Sequence, residues 1–194
     1  MIRRLALVSL ATLVAACSPP DGSKETDTPA TSGAGSGPAA AALGFAEGVR
    51  IAWSNGEAVT ADEVIQLIGL NGPEGALAEL GADRPGSRWT TVLAGVASAD
   101  PAWLNVAAAL EPGAQGTRAS DLDLALKAAL ATDAGATLGI LEVARQRLSP
   151  AAVCTSEDPG VAALLKPVVE AIDDPVLVPK RDACLAALGP AGQS

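Results

Sequence analysis

The chain contains 194 residues and no histidine or tyrosine. This removes the Ser-His-Asp and Cys-His nucleophile systems, histidine-bearing zinc sites and the imidazole general base. Carboxylates are what remain for acid-base chemistry, and the closest pairs are Asp121 with Asp123, Glu157 with Asp158, and Asp173 with Asp174. A glycosidase needs two such groups facing one another across a cleft, about 5 to 9.5 Å apart. Each pair instead falls at an expected helix terminus: Asp121 and Asp123 in a first turn, where negative charge meets the positive end of the helix dipole, and Asp158 at an N-cap. The structural role is the better reading, so no catalytic residue is assigned. Lys24, Lys127, Lys166 and Lys180 stand beside no serine motif. Residues Gly69 to Gly75 lack the Lys-Ser/Thr ending of a phosphate loop, and Glu111 to Asp123 lack the alternating acids of a calcium loop. No cofactor and no metal are expected.

Trp53, Trp89 and Trp103 carry nearly all the aromatic surface, beside a single phenylalanine. Trp89 and Trp103 lie on apolar stripes of helical period and read as core. Trp53 lies at a turn, where it either plugs the domain or is presented to a partner; it is the candidate partner-binding residue. With 22 acidic and 13 basic residues the formal net charge is −9. An acidic balance argues against nucleic acid or anionic lipid held through net attraction, since both need a basic footprint.

The first residues, Met1-Ile2-Arg3-Arg4, are basic, and an apolar run from Leu5 to Val14 follows, interrupted by Ser9 and Thr12. That is the layout of a secretory signal peptide, too short for a membrane span of about 20 residues. Val14-Ala15-Ala16-Cys17 then resembles the lipobox of bacterial lipoproteins. The resemblance covers residues 1 to 17 and implies cleavage before Cys17, acylation of that cysteine and a membrane tether. Two or more acyl chains hold a protein stably, whereas one binds marginally. Ser18, standing where an aspartate often signals inner-membrane retention, implies by the same analogy an outer-membrane anchor facing the periplasm. Loss of Arg3 and Arg4 would make the mature chain still more acidic. Once Cys17 is given to lipid, Cys154 and Cys184 remain as an even pair in an oxidising compartment, so a disulfide between them is expected.

The elements that would carry these residues follow from spacing. Residues 18 to 42, rich in Ser, Pro, Gly, Thr and Ala, read as the rest of a disordered linker spanning 17 to 42, with an r.m.s. reach of roughly 25 to 30 Å. Residues 43 to 190 read as one domain, and 191 to 194 as a flexible tail. The alternation Val49-Arg50-Ile51-Ala52-Trp53 before Ser54-Asn55-Gly56-Glu57 suggests a small β-hairpin near 49 to 59. The stretch Ser54 to Glu63 is similar to the opening of periplasmic peptidyl-prolyl isomerase chaperones. No such domain follows, and the chain lacks the histidine that its active site would need.

The rest is helical by pattern. Thr60 and Glu63 form a capping box, and Pro73 to Gly81 should fold back on the first helix. Ser87 and Asp100-Pro101 open the next two helices, Ser120 with Asp123 another, and Thr132-Asp133 one that carries Ile140, Leu141, Ala144 and Leu148. Asp158-Pro159 opens a striped helix that either kinks at Pro167 or begins near Lys166, and a last helix spans about 179 to 188. The expected fold is all-α, an irregular array of helical hairpins, arranged either as a HEAT-like stack or as a compact bundle. The expected role is a lipid-tethered envelope protein that binds another envelope protein in assembly or inhibition. A carboxylate-based envelope hydrolase acting on glycan or peptide is the alternative.

Overall fold

The computed structural model describes residues 37–81 and 84–189. The signal-peptide and lipobox residues, Cys17, most of the expected linker and the 191–194 tail lie outside them. Among the described residues every regular element is helical and no strand occurs. The helices are α1 (Pro38–Ala52), α2 (Ala61–Glu79), α3 (Arg88–Ala97), α4 (Pro101–Leu110), α5 (Thr117–Thr132), α6 (Ala134–Ile140), α7 (Pro150–Cys154), α8 (Pro159–Glu170) and α9 (Val178–Leu188).

The hairpin expected near 49 to 59 is not formed. Residues 49 to 52 are the last turn of α1, which begins at Pro38, inside the segment read as linker. The alternation of Val49, Ile51 and Trp53 is compatible with period 2, but Phe45, Val49 and Trp53 also repeat every four residues and share a helix face. Six alanines between residues 38 and 52 favour the helix locally. The Asn-Gly pair makes a loop that docks on α3 instead of turning a strand.

Caps set most boundaries. Thr60 Oγ1 accepts from Glu63 N, and Glu63 returns its carboxylate to Thr60 N at 2.7 Å. The Thr60 N–H first, then the Thr60 hydroxyl, which donates to the same carboxylate at 2.9 Å, hold the Glu63 carboxyl below its ordinary pKa. Asp100, Asp133, Ser149 and Asp158 cap α4, α6, α7 and α8. Within α2, Gly72 takes φ +70° and breaks the helix in front of Pro73. The break brings Asn71 Nδ2 within 2.6 Å of Glu79 Oε1, eight residues on, which is the expected fold-back in shortened form.

Two boundaries differ from expectation. α5 starts at Thr117 with Gly116 at its N-cap, so Ser120 lies inside the helix and bonds back to the Gly116 carbonyl. α6 ends at Ile140, not near Leu148. Gly135 and Gly139 weaken its propensity, and Leu148 reaches the core from an irregular segment closed by Glu142 N to the Leu148 carbonyl at 2.8 Å. α8 runs continuously through Pro167, so of the two readings at that residue the start near Lys166 is excluded.

α5 is the hub. It packs against α1, α3, α6, α7 and α8, and α1 also meets α8. Contacts between the first helix and the eighth do not occur in a solenoid, where each repeat touches only its neighbours. The array is a compact bundle. Ala119, Ala125, Ala128, Ala129 and Ala131 let neighbouring helices approach α5 from several sides, while Leu122, Leu126 and Leu130 fill the spaces between. Each fully buried leucine contributes about 1.5 to 3 kcal/mol. Cys154 and Cys184 form the expected disulfide, joining α7 to α9.

Most basic side chains serve the scaffold. Arg88 donates to the Glu79 carbonyl, Arg145 to Ala108, Arg147 to Ala114, Lys166 to Gly189, Lys180 to Gly139 and Arg181 to Ile172, at 2.7 to 3.3 Å. Each carbonyl lies at or just past a helix C-terminus, where the acceptor is free and the dipole is negative. Among the described residues, no helix is long and apolar enough to cross a membrane.

Candidate binding site around Trp53

Trp53 is the C-cap of α1, and its N–H reaches the Arg50 carbonyl while Ser54 closes the last turn on Ile51. The chain then runs against the start of α3. Glu57 N donates to the Gly86 carbonyl at 3.1 Å, and Thr91 Oγ1 donates to the Glu57 carbonyl at 2.7 Å. Gly56 permits this approach, because a Cβ there would lie 2.6 Å from Thr91 N and 2.9 Å from the Ser87 carbonyl. The facing loop is shaped by Gly81 and Gly86, both at φ +69°, where a side chain would be strained. The Asn-Gly signal was therefore a signal of tight backbone, with its partner in a helix N-terminus.

Two depressions meet at Ala52 and Trp53. The first, a cavity of 460 Å³ with mixed polar and apolar walls, is lined by the loop residues Asn55, Arg84 and Pro85, by Trp89, Thr90 and Leu93 of α3, and by Thr117 and Asp121 of α5. The second, an apolar cleft of 440 Å³, lies along α1 and is walled by Phe45, Val49, Trp53 and Leu124 over Gly44 and Gly48. Both volumes fall within the range of ligand sites, roughly 300 to 1,000 Å³. A Cβ at Gly44 or Gly48 would meet nothing, so these glycines leave the cleft open.

Trp53 itself is half-buried and packs against the core with one part while bordering both depressions with another. Of the two alternatives for it, the plug is met in part, by the packing against the core. Trp89 is 2% exposed, as expected of a core residue. Its Nε1, like the Oγ of neighbouring Ser87, is buried without a hydrogen-bond partner, a condition that costs about 1 to 3 kcal/mol per group. Trp103 is half-buried, its indole lying over Gly95 of α3.

The fold separates Asp121 from Asp123 but leaves Glu157 and Asp158 in one recess. Asp121 lines the cavity beside Trp53, whereas Asp123 lines another, of 570 Å³, with Ser120, Lys127, Thr155, Glu157 and Asp158. Because α5 begins at Thr117, Asp121 and Asp123 lie beyond its first turn, and neither caps it. Burial pushes the Asp123 carboxyl above its ordinary pKa, opposed by Lys127 and Arg147 and assisted by Glu111. Asp158 is the expected N-cap, accepting from Gly160 N at 2.7 Å, and Asp174 accepts from Val176 N at 2.9 Å. Among the described residues no three His, Cys, Asp or Glu side chains converge as a metal site would require. Sequence reasoning missed Arg84, Asn55 and the apolar cleft, since they belong to the site only through the packing of α1, α3 and α5. The chain matches no protein family, curated protein or solved structure.

Proposed function

We propose that this chain is a lipid-tethered protein of the bacterial cell envelope, anchored through Cys17 in the outer membrane and facing the periplasm, that works by binding another envelope protein in assembly or inhibition. The observation that carries the reading is the position of Trp53, half-buried at the seam between a cavity of mixed polarity and an apolar cleft. An aromatic anchor beside apolar and polar recesses is the usual chemistry of a binding hot spot. The lipobox-like segment at Val14 to Cys17 supports the address, and the expelled, acidic chain with its Cys154–Cys184 bridge fits an oxidising compartment.

In cells, a photo-crosslinking residue at the exposed Asn55, compared with one at the exposed Val176, tests this reading. A single envelope protein captured repeatedly from position 55, not from 176, and lost on Trp53→Ala is the expected result. Equal capture from both positions, or none at good expression, overturns it.

A second reading, an envelope hydrolase acting through carboxylates on glycan or peptide, has one observation in its favour. Asp123 holds its proton more tightly than usual in a recess shared with Glu157 and Asp158, as a general acid must. Release of sugar ends or peptides from isolated cell-wall material, abolished by Asp123→Asn, would establish it; no release by the wild-type chain ends it.

A further inference from the structure

The cavity beside Trp53 contains a cation and an anion that the scaffold does not use. Arg88, Arg145, Arg147, Lys166, Lys180 and Arg181 are each spent on a helix-end carbonyl, and Arg50 pairs with Glu47. Arg84 differs: among the described residues its side chain makes no hydrogen bond or ion pair. The guanidinium lies over the bare backbone of Gly81, where a Cβ would come within 2.7 Å of Nη2 and 3.1 Å of Nε. Asp121, across the same cavity on α5, is equally uncommitted among the described residues and is not paired with Arg84. A planar guanidinium binds a carboxylate through two parallel N–H donors, and a free carboxylate accepts an N–H.

A ligand that satisfies the whole site therefore brings a carboxylate for Arg84, an N–H for Asp121 and an apolar group for the adjoining cleft of Phe45, Val49 and Leu124. Those are the three substituents of the last residue of a polypeptide: its α-carboxylate, its backbone N–H and its side chain. All three branch from one Cα, so they can enter recesses that share the wall formed by Ala52 and Trp53. In an extended internal segment, an acidic side chain and its apolar neighbour point to opposite faces. Charge favours the same choice, because a chain of net charge −9 repels segments rich in Asp and Glu, while a single terminal carboxylate costs little of that repulsion.

Building on the protein-binding reading above, we infer that the Trp53 site captures the C-terminal end of a polypeptide partner that finishes in an apolar residue. The α-carboxylate is held by Arg84, the last N–H by Asp121 and the last side chain by the apolar cleft. Backbone-end capture of this kind is a recurring mode of peptide recognition.

The test uses the full chain in detergent and follows tryptophan fluorescence during titration with N-acetylated Lys-Ala-Ala-Leu, Lys-Ala-Ala-Val and Lys-Ala-Ala-Phe. Each peptide is compared with its C-terminal amide, with an internal-acid control, N-acetyl-Lys-Asp-Leu-Ala amide, and with free leucine. The acid form of at least one peptide should bind about tenfold or more tightly than its amide, the loss expected for a charge-assisted hydrogen bond. Arg84→Gln should erase the acid-amide difference, and Asp121→Asn should weaken the acid several-fold. Thermal melts of both variants check that folding is intact. Equal affinity of acid and amide, preference for the internal acid, binding of free leucine as tight as peptide, or no binding up to millimolar concentration overturns the inference. If crosslinking at Asn55 still captures one Trp53-dependent partner, protein binding stands and only the chain-end chemistry falls.

Discussion

Removing the Cys154–Cys184 bridge should cost this protein a measurable and partly local share of its stability. The two residues are 30 apart, and both are fully buried. The chain-entropy relation for a loop of that length gives about 12 cal/mol/K, or about 3.6 kcal/mol at room temperature. At about 2 to 4 °C per kcal/mol for a chain of this size, the midpoint of thermal unfolding should fall by about 7 to 14 °C. Reduction leaves two thiols that pack as small apolar groups, so the lost term is the crosslink and not the burial. The double substitution Cys154→Ala/Cys184→Ala should cost somewhat more, because it also removes two sulfurs from the core. The loss should be felt first in α9, where only Cys184 and Leu188 are buried and the bridge to α7 is the covalent hold. The assay is urea unfolding of protein refolded with and without reductant, with hydrogen exchange read separately for α9 and α5. An unchanged midpoint, or exchange in α9 that keeps pace with α5 after reduction, would refute the reasoning.

Other outcomes follow from single contacts. Gly95→Ala should destabilise by about 1 to 3 kcal/mol, because the new Cβ would lie 2.6 Å from Cγ and Cε2 of Trp103; a denaturation midpoint equal to wild type would contradict the packing. Burial raises the folded pKa of Asp123 above its ordinary value of 3.8, so the ionised form opposes folding and this group's contribution to stability declines as pH rises from 3.8 toward the folded value. Asp123→Asn should therefore stabilise the protein at neutral pH and lose that advantage below pH 3.8, as equilibrium unfolding at the two pH values would show; a variant less stable at neutral pH sinks the assignment. Cys17→Ser should abolish acylation and membrane retention, read by metabolic labelling with an alkyne fatty acid and by fractionation, and a labelled, membrane-bound mutant would remove the anchor.

Much of the helical plan was legible in the sequence because its signals are local. Thr60-x-x-Glu63, Asp100-Pro101 and Asp158-Pro159 are complete within four residues, and each caps the helix expected of it. Where a signal depends on its surroundings, the reading went astray. Alternation at 49 to 53 admitted strand or helix, and the alanine-rich stretch before it settled the matter as α1. Ser120 and Asp123 mimic a helix start, yet Gly116 provides one earlier. Leu141 and Leu148 share a helical spacing that the chain does not use, since both reach the core from an irregular segment.

By itself the sequence determined what chemistry is open to the protein: a chain without histidine, with a lipobox-like cysteine near its start, two further cysteines and an acidic surface. It also singled out Trp53, as a tryptophan placed beside the Ser54-Asn55-Gly56 turn signal. Only the tertiary structure decided what surrounds that residue. The cavity and cleft are built from α1, α3, α5 and the loop at Arg84, segments up to about 80 residues apart that the alanine-lined hub of α5 draws together. Periodicity assigns a side chain to a face of its own helix. Which neighbour covers that face, and what is left uncovered for a partner, depends on how all the helices pack.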